Sequence, residues 1–170
     1  MKRFLLSILI VTAFAITSSA QKFALVDMEY ILKHIPAYER AGEQLNQVSK
    51  KWQAEVEVLQ EEAQTMYKKY QAEAVFLSNE QKKQSEDAII AKEREASDLK
   101  KKYFGPEGEL FKKRESLMAP IQDEIYNAIK DIAELKGYSL ILDRASDAGI
   151  IFASPKADIS NDVLTKLGYN

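Results

Sequence analysis

The sequence predicts a mainly helical α+β protein in which both ends of the mature chain form a small β body around an inserted helical hairpin. Three observations carry this prediction. A heptad pattern without Gly or Pro runs from about residue 43 to 103 of the 170-residue chain. A helix-capping motif interrupts it half-way, and short apolar runs of strand composition lie near both ends. Because the turn between the legs is short, the hairpin is expected to be an antiparallel coiled coil.

The first twenty residues have the composition of a secretory signal peptide. Lys2 and Arg3 precede an apolar stretch over 4–16, and small residues at 18–20 favour cleavage after Ala20. A retained membrane anchor is the alternative, but the apolar stretch is shorter than the roughly twenty residues that span a bilayer. The mature chain, 21–170, is expected to be exported and to form a single domain.

Composition excludes several classes of function. The whole chain has 24 basic and 26 acidic side chains, and loss of Lys2 and Arg3 leaves a net charge of −4, which does not favour nucleic-acid binding. With no cysteine and one histidine, His34, the chain has no disulfide and no Cys or His cluster for a metal. His34 is expected to be a solvated or capping residue.

No catalytic constellation appears in the sequence, so we expect a non-enzyme without a cofactor. No serine has a histidine placed to activate it, and no glycine-rich phosphate loop follows a strand. Asp143, Arg144 and Asp147 are close in sequence. They lie in a polar turn between predicted strands, where turn chemistry and an exposed ion pair explain them better than catalysis does.

The elements before the hairpin are short. Residues 23–27 read Phe-Ala-Leu-Val-Asp and predict a strand. Apolar residues then recur at helical spacing over 28–35, which predicts a short helix ending near His34, before Pro36.

The first leg of the hairpin carries apolar residues at alternating steps of four and three. Ser49 and Glu73 are weak points in this register. The intervening Lys, Glu and Gln residues are good helix formers that leave the outer face polar. The predicted coiled-coil seam consists of Leu45, Trp52, Val56, Leu59, Ala63, Met66, Tyr70 and Leu77.

The chain reverses near Leu77, because Ser78 and Gln81 form the pattern of a capping box that begins a second helix. The seam of this return leg is predicted at Ala88, Ile89, Ala96, Leu99 and Tyr103.

The segment 105–108, Gly-Pro-Glu-Gly, then ends or bends the helix. A further helix begins near Glu109, and we expect a kink at Pro120 and an end at Gly137. Its apolar stripe is predicted at Leu110, Leu117, Ile121, Ile125, Ile129, Ile132 and Leu135.

The C-terminal part predicts two strands, at 138–143 and 150–153, and a final helix over 161–167 that Ser160 caps. Since strands lie at both ends, the ends must meet in one sheet. A sheet of three short strands buries little apolar surface by itself. We therefore expect other copies of the chain to cover its edges.

Taken in chain order, these features resemble the Skp/OmpH family of periplasmic chaperones. The residues that carry the resemblance are the first strand at 23–28, the charged hairpin, Leu-Ile-Leu-Asp at 140–143 and Asp-Ile-Ser-Asn-Asp-Val-Leu at 158–164. The resemblance implies a periplasmic homotrimer with a β-barrel body, formed by 21–37 and 105–170 of each chain. Three hairpin tentacles, 38–104, would enclose a cavity that holds unfolded outer-membrane proteins. The implied function is that of an ATP-independent holdase.

The end of the hairpin is where we expect contact with clients. Residues 64–85 hold four lysines and two glutamates with apolar residues among them. The structural alternative is that the lysines form a solvated face and the apolar residues are ordinary seam residues. This alternative does not explain Phe76, which does not occupy a seam position. The predicted client-binding residues are Tyr67, Lys68, Lys69, Val75, Phe76, Lys82 and Lys83.

Three other interpretations accompany the chaperone hypothesis. The hairpin could belong to a structural or adaptor protein of the envelope that docks one defined partner. An outer-membrane β-barrel is disfavoured, because no predicted strand alternates over about ten residues. Contact with lipopolysaccharide or a membrane surface is disfavoured by the acidic balance of the mature chain.

Overall fold

The computed structural model describes residues 21–146 and 149–169. The predicted signal peptide and Asp147 therefore lie outside the described residues. The strands are β1 (Lys22–Val26) and β2 (Tyr138–Asp143), and a 3-10 turn covers Pro155–Ala157. The helices are α1 (Met28–Lys33), α2 (Pro36–Glu73), α3 (Asn79–Phe104), α4 (Glu109–Lys136) and α5 (Ser160–Leu167). This is the mainly helical α+β fold that the sequence predicts, with a long inserted hairpin.

The chain divides into two compact units. One unit is Ile35–Glu124, which contains the hairpin, and the other holds the described residues up to His34 and from Ile125 onward. None of the helices within the described part of the chain is long and apolar enough to cross a bilayer.

The N-terminal and C-terminal parts of the described chain meet in one small sheet, as predicted. β1 and β2 pair in parallel, with Phe23 opposite Leu140 and Leu25 opposite Leu142. Leu25 also forms an isolated parallel bridge with Asp158. The prediction of a third strand at 150–153 is wrong, because this stretch has no partner strand among the described residues. Its apolar composition suits a strand, but composition describes the side chains alone and does not supply a pairing partner.

The core of the sheet-containing unit is formed by residues of β1 (Ala24, Leu25 and Val26) and of three helices. Ile31 of α1, Ile125 and Ile132 of α4, and Val163 of α5 are buried, and α1 packs against α5. The apolar stripe predicted for α4 therefore includes core residues, but Leu135 is 85% exposed and does not belong to it. α4 ends at Lys136 before Gly137, whose φ of +68° ends the helix as expected.

A polar network ties the ends of β1, β2 and the C-terminal segment together. Arg144 donates from Nε to Asp27 at 3.2 Å and from a terminal nitrogen to Asp158 at 2.8 Å. Ser160 Oγ donates to Asp158 Oδ1 at 2.6 Å and accepts from the backbone N–H of Asp27 at 2.8 Å. The prediction that Ser160 caps α5 is therefore wrong: Ile159 is the N-cap residue and provides no side-chain cap. The Ser160 hydroxyl instead accepts from the backbone of Asp27, the residue that follows β1.

The C-terminal ends of α1 and α3 lie where the sequence predicts them. His34 is the C-cap of α1, as expected, and its Nδ1 lies 2.8 Å from the Tyr30 carbonyl oxygen. α3 ends at Phe104, so the break predicted at 105–108 is present. A side chain at Gly105 would place its Cβ 2.4 Å from the Lys101 carbonyl oxygen. Pro120 lies inside α4, which continues to Lys136.

Candidate functional site

Every residue that the sequence singles out for binding lies on the hairpin formed by α2 and α3. Along α2, the seam residues are withdrawn from solvent to different degrees. Val56 and Ala63 are buried, and the half-buried ones are Leu45, Trp52, Leu59, Met66, Tyr70 and Leu77. Of the two weak points, Ser49 is half-buried and Glu73 is exposed.

The return leg has a more polar seam than the sequence predicts. Ile89 and Ala96 are buried, and Leu99 and Tyr103 are half-buried, but Ala88 is exposed, so its assignment to the seam is wrong. Steps of three and four counted back from Tyr103 reach three half-buried polar residues: Lys82, Ser85 and Lys92. This spacing is the signal that an analysis of apolar residues alone overlooks.

An aromatic pair and a hydrogen bond join the legs far from the tip. The rings of Trp52 and Tyr103 are stacked, and Tyr103 Oη donates to Glu55 at 2.6 Å. This hydrogen bond, followed by burial, raises the pKa of Tyr103. The phenol therefore stays protonated as a donor to the carboxylate.

Lys92 joins the legs near the middle of the hairpin. Its Nζ lies 2.8 Å from a carboxylate oxygen of Glu95 on the same helix and 3.2 Å from one of Glu62 on α2. The bond to Glu95, and then that to Glu62, raises the pKa of Lys92. Lys92, a charged residue at a seam position, is thus paired with one carboxylate on each leg of the hairpin.

A third polar contact joins the legs nearer the tip, where Tyr70 donates a short hydrogen bond to Glu86. This bond raises the pKa of Tyr70. The three polar contacts are spread over much of the length of the hairpin. They supply directional links that apolar seam residues do not.

The turn between α2 and α3 is closed by the predicted capping box. Ser78 Oγ accepts from the Gln81 backbone N–H at 3.3 Å, and Gln81 Oε1 accepts from the Ser78 backbone N–H at 2.9 Å. The turn leaves Val75 and Phe76 each 86% exposed. Two adjacent apolar side chains therefore face solvent at the tip.

The other predicted client-binding residues follow the tip along both legs. Tyr67 is 48% exposed. Lys68, Lys69 and Lys83 are exposed, whereas Lys82 is half-buried. The structure therefore separates Lys82, which occupies a seam position, from the three lysines that project into solvent.

A groove of about 440 Å³ lies between the legs beside the tip. Met66, Tyr70 and Leu77 contribute to it from the seam, and Lys69 and Glu73 bring opposite charges to it. Among residues 21–146 and 149–169, no three side chains of the metal-ligating types are grouped to hold a metal ion.

Comparison with known proteins gives a consistent result. The family model described as Outer membrane protein (OmpH-like) matches residues 22–167. The Chaperone protein Skp of Pectobacterium atrosepticum is 24% identical over 161 residues, which cover 94% of this chain and 93% of that protein. A crystal structure from Caulobacter crescentus CB15, described as an outer membrane chaperone (OmpH-like), superposes with a TM-score of 0.70 at 14% identity. The match covers 88% of this chain and 85% of the other.

Proposed function

The chain belongs to the OmpH-like family, and from this premise we propose that it is an ATP-independent holdase that binds unfolded outer-membrane proteins in the periplasm. The family and the chaperone relatives support a chaperone role. Capture of unfolded outer-membrane proteins, and prevention of their aggregation during transit, is the specific form of that role that we propose. It requires no enzyme activity, cofactor or nucleic acid.

The observation that carries the proposal is the exposed apolar pair at the end of a long helical hairpin. Val75 and Phe76 contribute nothing to the seam, and their exposure lowers the solubility of the chain without stabilising it. A holdase needs such surfaces, because several weak contacts to one client add up through their effective concentration. The exposed lysines beside the tip add contacts for acidic segments of a client.

We further propose a homotrimer in which the sheet-containing unit forms the body. Phe23 and Leu140, which are paired across the sheet, are 55% and 46% exposed. Ile151 and Phe152, in the stretch predicted as a strand, are 101% and 85% exposed. Burial of these side chains against other copies would stabilise the assembly by roughly 25 cal/mol per Å² of apolar surface.

The cellular location and the role of each segment of the chain are part of the same proposal. Residues 1–20 would direct export and be removed after Ala20. Residues 38–104 would act as the tentacle and residues 21–37 and 105–170 as the body. We do not extend the proposal to lipopolysaccharide or membrane surfaces, since the mature chain carries a net charge of −4.

The test is native mass spectrometry of the mature chain, 21–170, before and after dilution of a urea-unfolded outer-membrane β-barrel protein into it. We expect a trimer that captures one client chain, and the same behaviour with a second, unrelated barrel protein. A trimer that captures neither client would contradict the holdase function and favour an adaptor that docks one defined partner. A monomer would contradict the proposed body.

A further inference from the structure

One face of the hairpin carries a continuous groove between α2 and α3, away from the turn. It consists of two adjoining depressions, of about 230 Å³ and 470 Å³, that share Gln60 and Lys100. Phe104 lines one of these depressions and Tyr67 the other. We call this surface, lined from Gln53 to Tyr67 on α2, the glutamine groove.

The floor of the glutamine groove is formed by small seam residues. Val56, Ala63 and Ala96 line it and are 5%, 4% and 3% exposed. Two alanines fill less of the space between the helices than the leucine or isoleucine typical of seam positions do. The depression is therefore a consequence of residue size at two seam positions, one on each leg.

The rim of the groove is rich in amide groups. Gln53 donates to Glu57 at 3.0 Å. Gln60 and Gln64 are exposed, and their amide groups have no hydrogen-bond partner within the described part of the chain. A glutamine amide has both donors and an acceptor, as a peptide group does. Two free amides on one rim therefore offer the donor and acceptor pattern of a backbone.

The length of the groove suits a short extended segment. From Gln53 to Tyr67 the helix rises by about 21 Å, at about 1.5 Å per residue. An extended polypeptide covers that distance with about six residues, at about 3.3 Å each. The charges at the rim, Glu57, Glu93 and Lys100, are mixed in sign, so the groove favours an occupant with little net charge.

We infer that the glutamine groove binds an extended, uncharged segment of an unfolded polypeptide, with Gln60 and Gln64 hydrogen-bonding to its backbone. This inference rests on the proposed holdase function and adds a second contact surface to the tip. Recognition of backbone amides is independent of sequence, which suits binding to unrelated clients. Alternating apolar side chains of such a segment would point towards the alanine floor.

The experiment compares two double variants of the full mature chain. Gln60→Ala with Gln64→Ala removes the free amides of the groove. Gln44→Ala with Gln47→Ala removes two exposed glutamines of the same helix that line neither depression and lie outside the tip region, 64–85. Alanine favours the helix in both cases. We expect the Kd for a urea-unfolded, fluorescently labelled outer-membrane β-barrel protein to rise about fivefold in the groove variant and to stay unchanged in the control.

A photo-crosslinking amino acid at position 64 should also capture this client, whereas one at position 44, outside both the groove and the tip region, should not. Equal Kd values for the two double variants, or equal crosslinking at both positions, would overturn the groove and leave the holdase function standing. A changed oligomeric state of the groove variant would assign the groove to contacts between copies and overturn the inference. Absence of capture by the wild-type chain would overturn the holdase function, and with it the inference.

Discussion

The rings of Trp52 on α2 and Tyr103 on α3 stack with their centroids 4.7 Å apart and an interplanar angle of 7°. Both residues occupy seam positions, so the heptad spacing of two separate helices brings them opposite each other. Tyr103 also donates to Glu55, which fixes its ring while leaving its face to Trp52. The pair therefore sets the register of the hairpin at the end away from the turn.

Replacement of Trp52 by alanine should lower the free energy of unfolding by about 1–3 kcal/mol, because it removes a half-buried aromatic side chain and the stacking partner of Tyr103. The measurement is urea denaturation followed by circular dichroism at a fixed protein concentration. Val58→Ala, on the same helix but 52% exposed, is the matched control and should change little. A loss no larger than that of the control would contradict the role of the stacked pair.

Lys92→Met should raise the thermal midpoint by about 2–5 °C. The substitution places an apolar side chain at a seam position. It leaves the Glu62 and Glu95 side chains, which are 50% and 56% exposed, accessible to water. Ion pairs with carboxylates this exposed contribute little to the stability of the folded chain. A lower midpoint for Lys92→Met than for wild type would show that the charge contributes more than seam packing at this position.

The advantage of Lys92→Met should grow at high pH. The pKa of Lys92 is raised above its ordinary value of 10.5 by its bonds to Glu95 and Glu62. A raised pKa in the folded state contributes stability that is fully present below the unfolded pKa and is lost as pH rises through the folded one. Melting curves at pH 8 and pH 11 should therefore show a larger difference between the two proteins at pH 11. A constant difference would mean that Lys92 has the same pKa folded and unfolded.

Ser160→Ala should cost about 1–3 kcal/mol of stability, since the Asp27 backbone N–H would lose its acceptor next to a side chain that is 4% exposed. Asp158 would also lose the donor on Ser160 Oγ. Thermal denaturation measures the loss, and Ser139→Ala at an exposed position of β2 is the control. Equal midpoints for the two variants would show that water replaces the hydroxyl at no cost.

The heptads and the capping box made the hairpin predictable, because both are local patterns that determine helix faces and ends. Lys92 was missed because a search for apolar residues does not count a lysine as part of a seam. The role of Ser160 depends on a backbone N–H 133 residues away in sequence, which no local pattern reveals. The prediction of the third strand was wrong for a related reason. Composition describes the side chains of 150–153, whereas strand pairing depends on a partner strand that is distant in sequence.

The break between α3 and α4 is predicted to act as a hinge of the arm. Replacement of Gly105 and Pro106 by alanine should extend the helix across the break, stiffen the arm and lower client capture. The Cβ at position 105 meets the Lys101 carbonyl oxygen in the present conformation, so the backbone must change. Capture of barrel proteins of two sizes, measured with circular dichroism for helix content, tests this. Unchanged capture at both sizes, despite a gain of helix, would exclude a hinge.

The exposed pair at the tip gives the most direct test of client contact. Val75→Ser with Phe76→Ser should raise the Kd for an unfolded barrel protein at least threefold, because apolar contact surface is lost, while the helices on either side keep their ends. Val58→Ser with Ile90→Ser is the matched control, since these side chains are also exposed, by 52% and 60%, but lie away from the turn. If apolar contact dominates, the difference between the two variants should persist at 1 M salt, where exposed charges are screened. Equal Kd values for both variants would show that the tip has no special role, and loss of the difference at high salt would contradict the dominance of apolar contact.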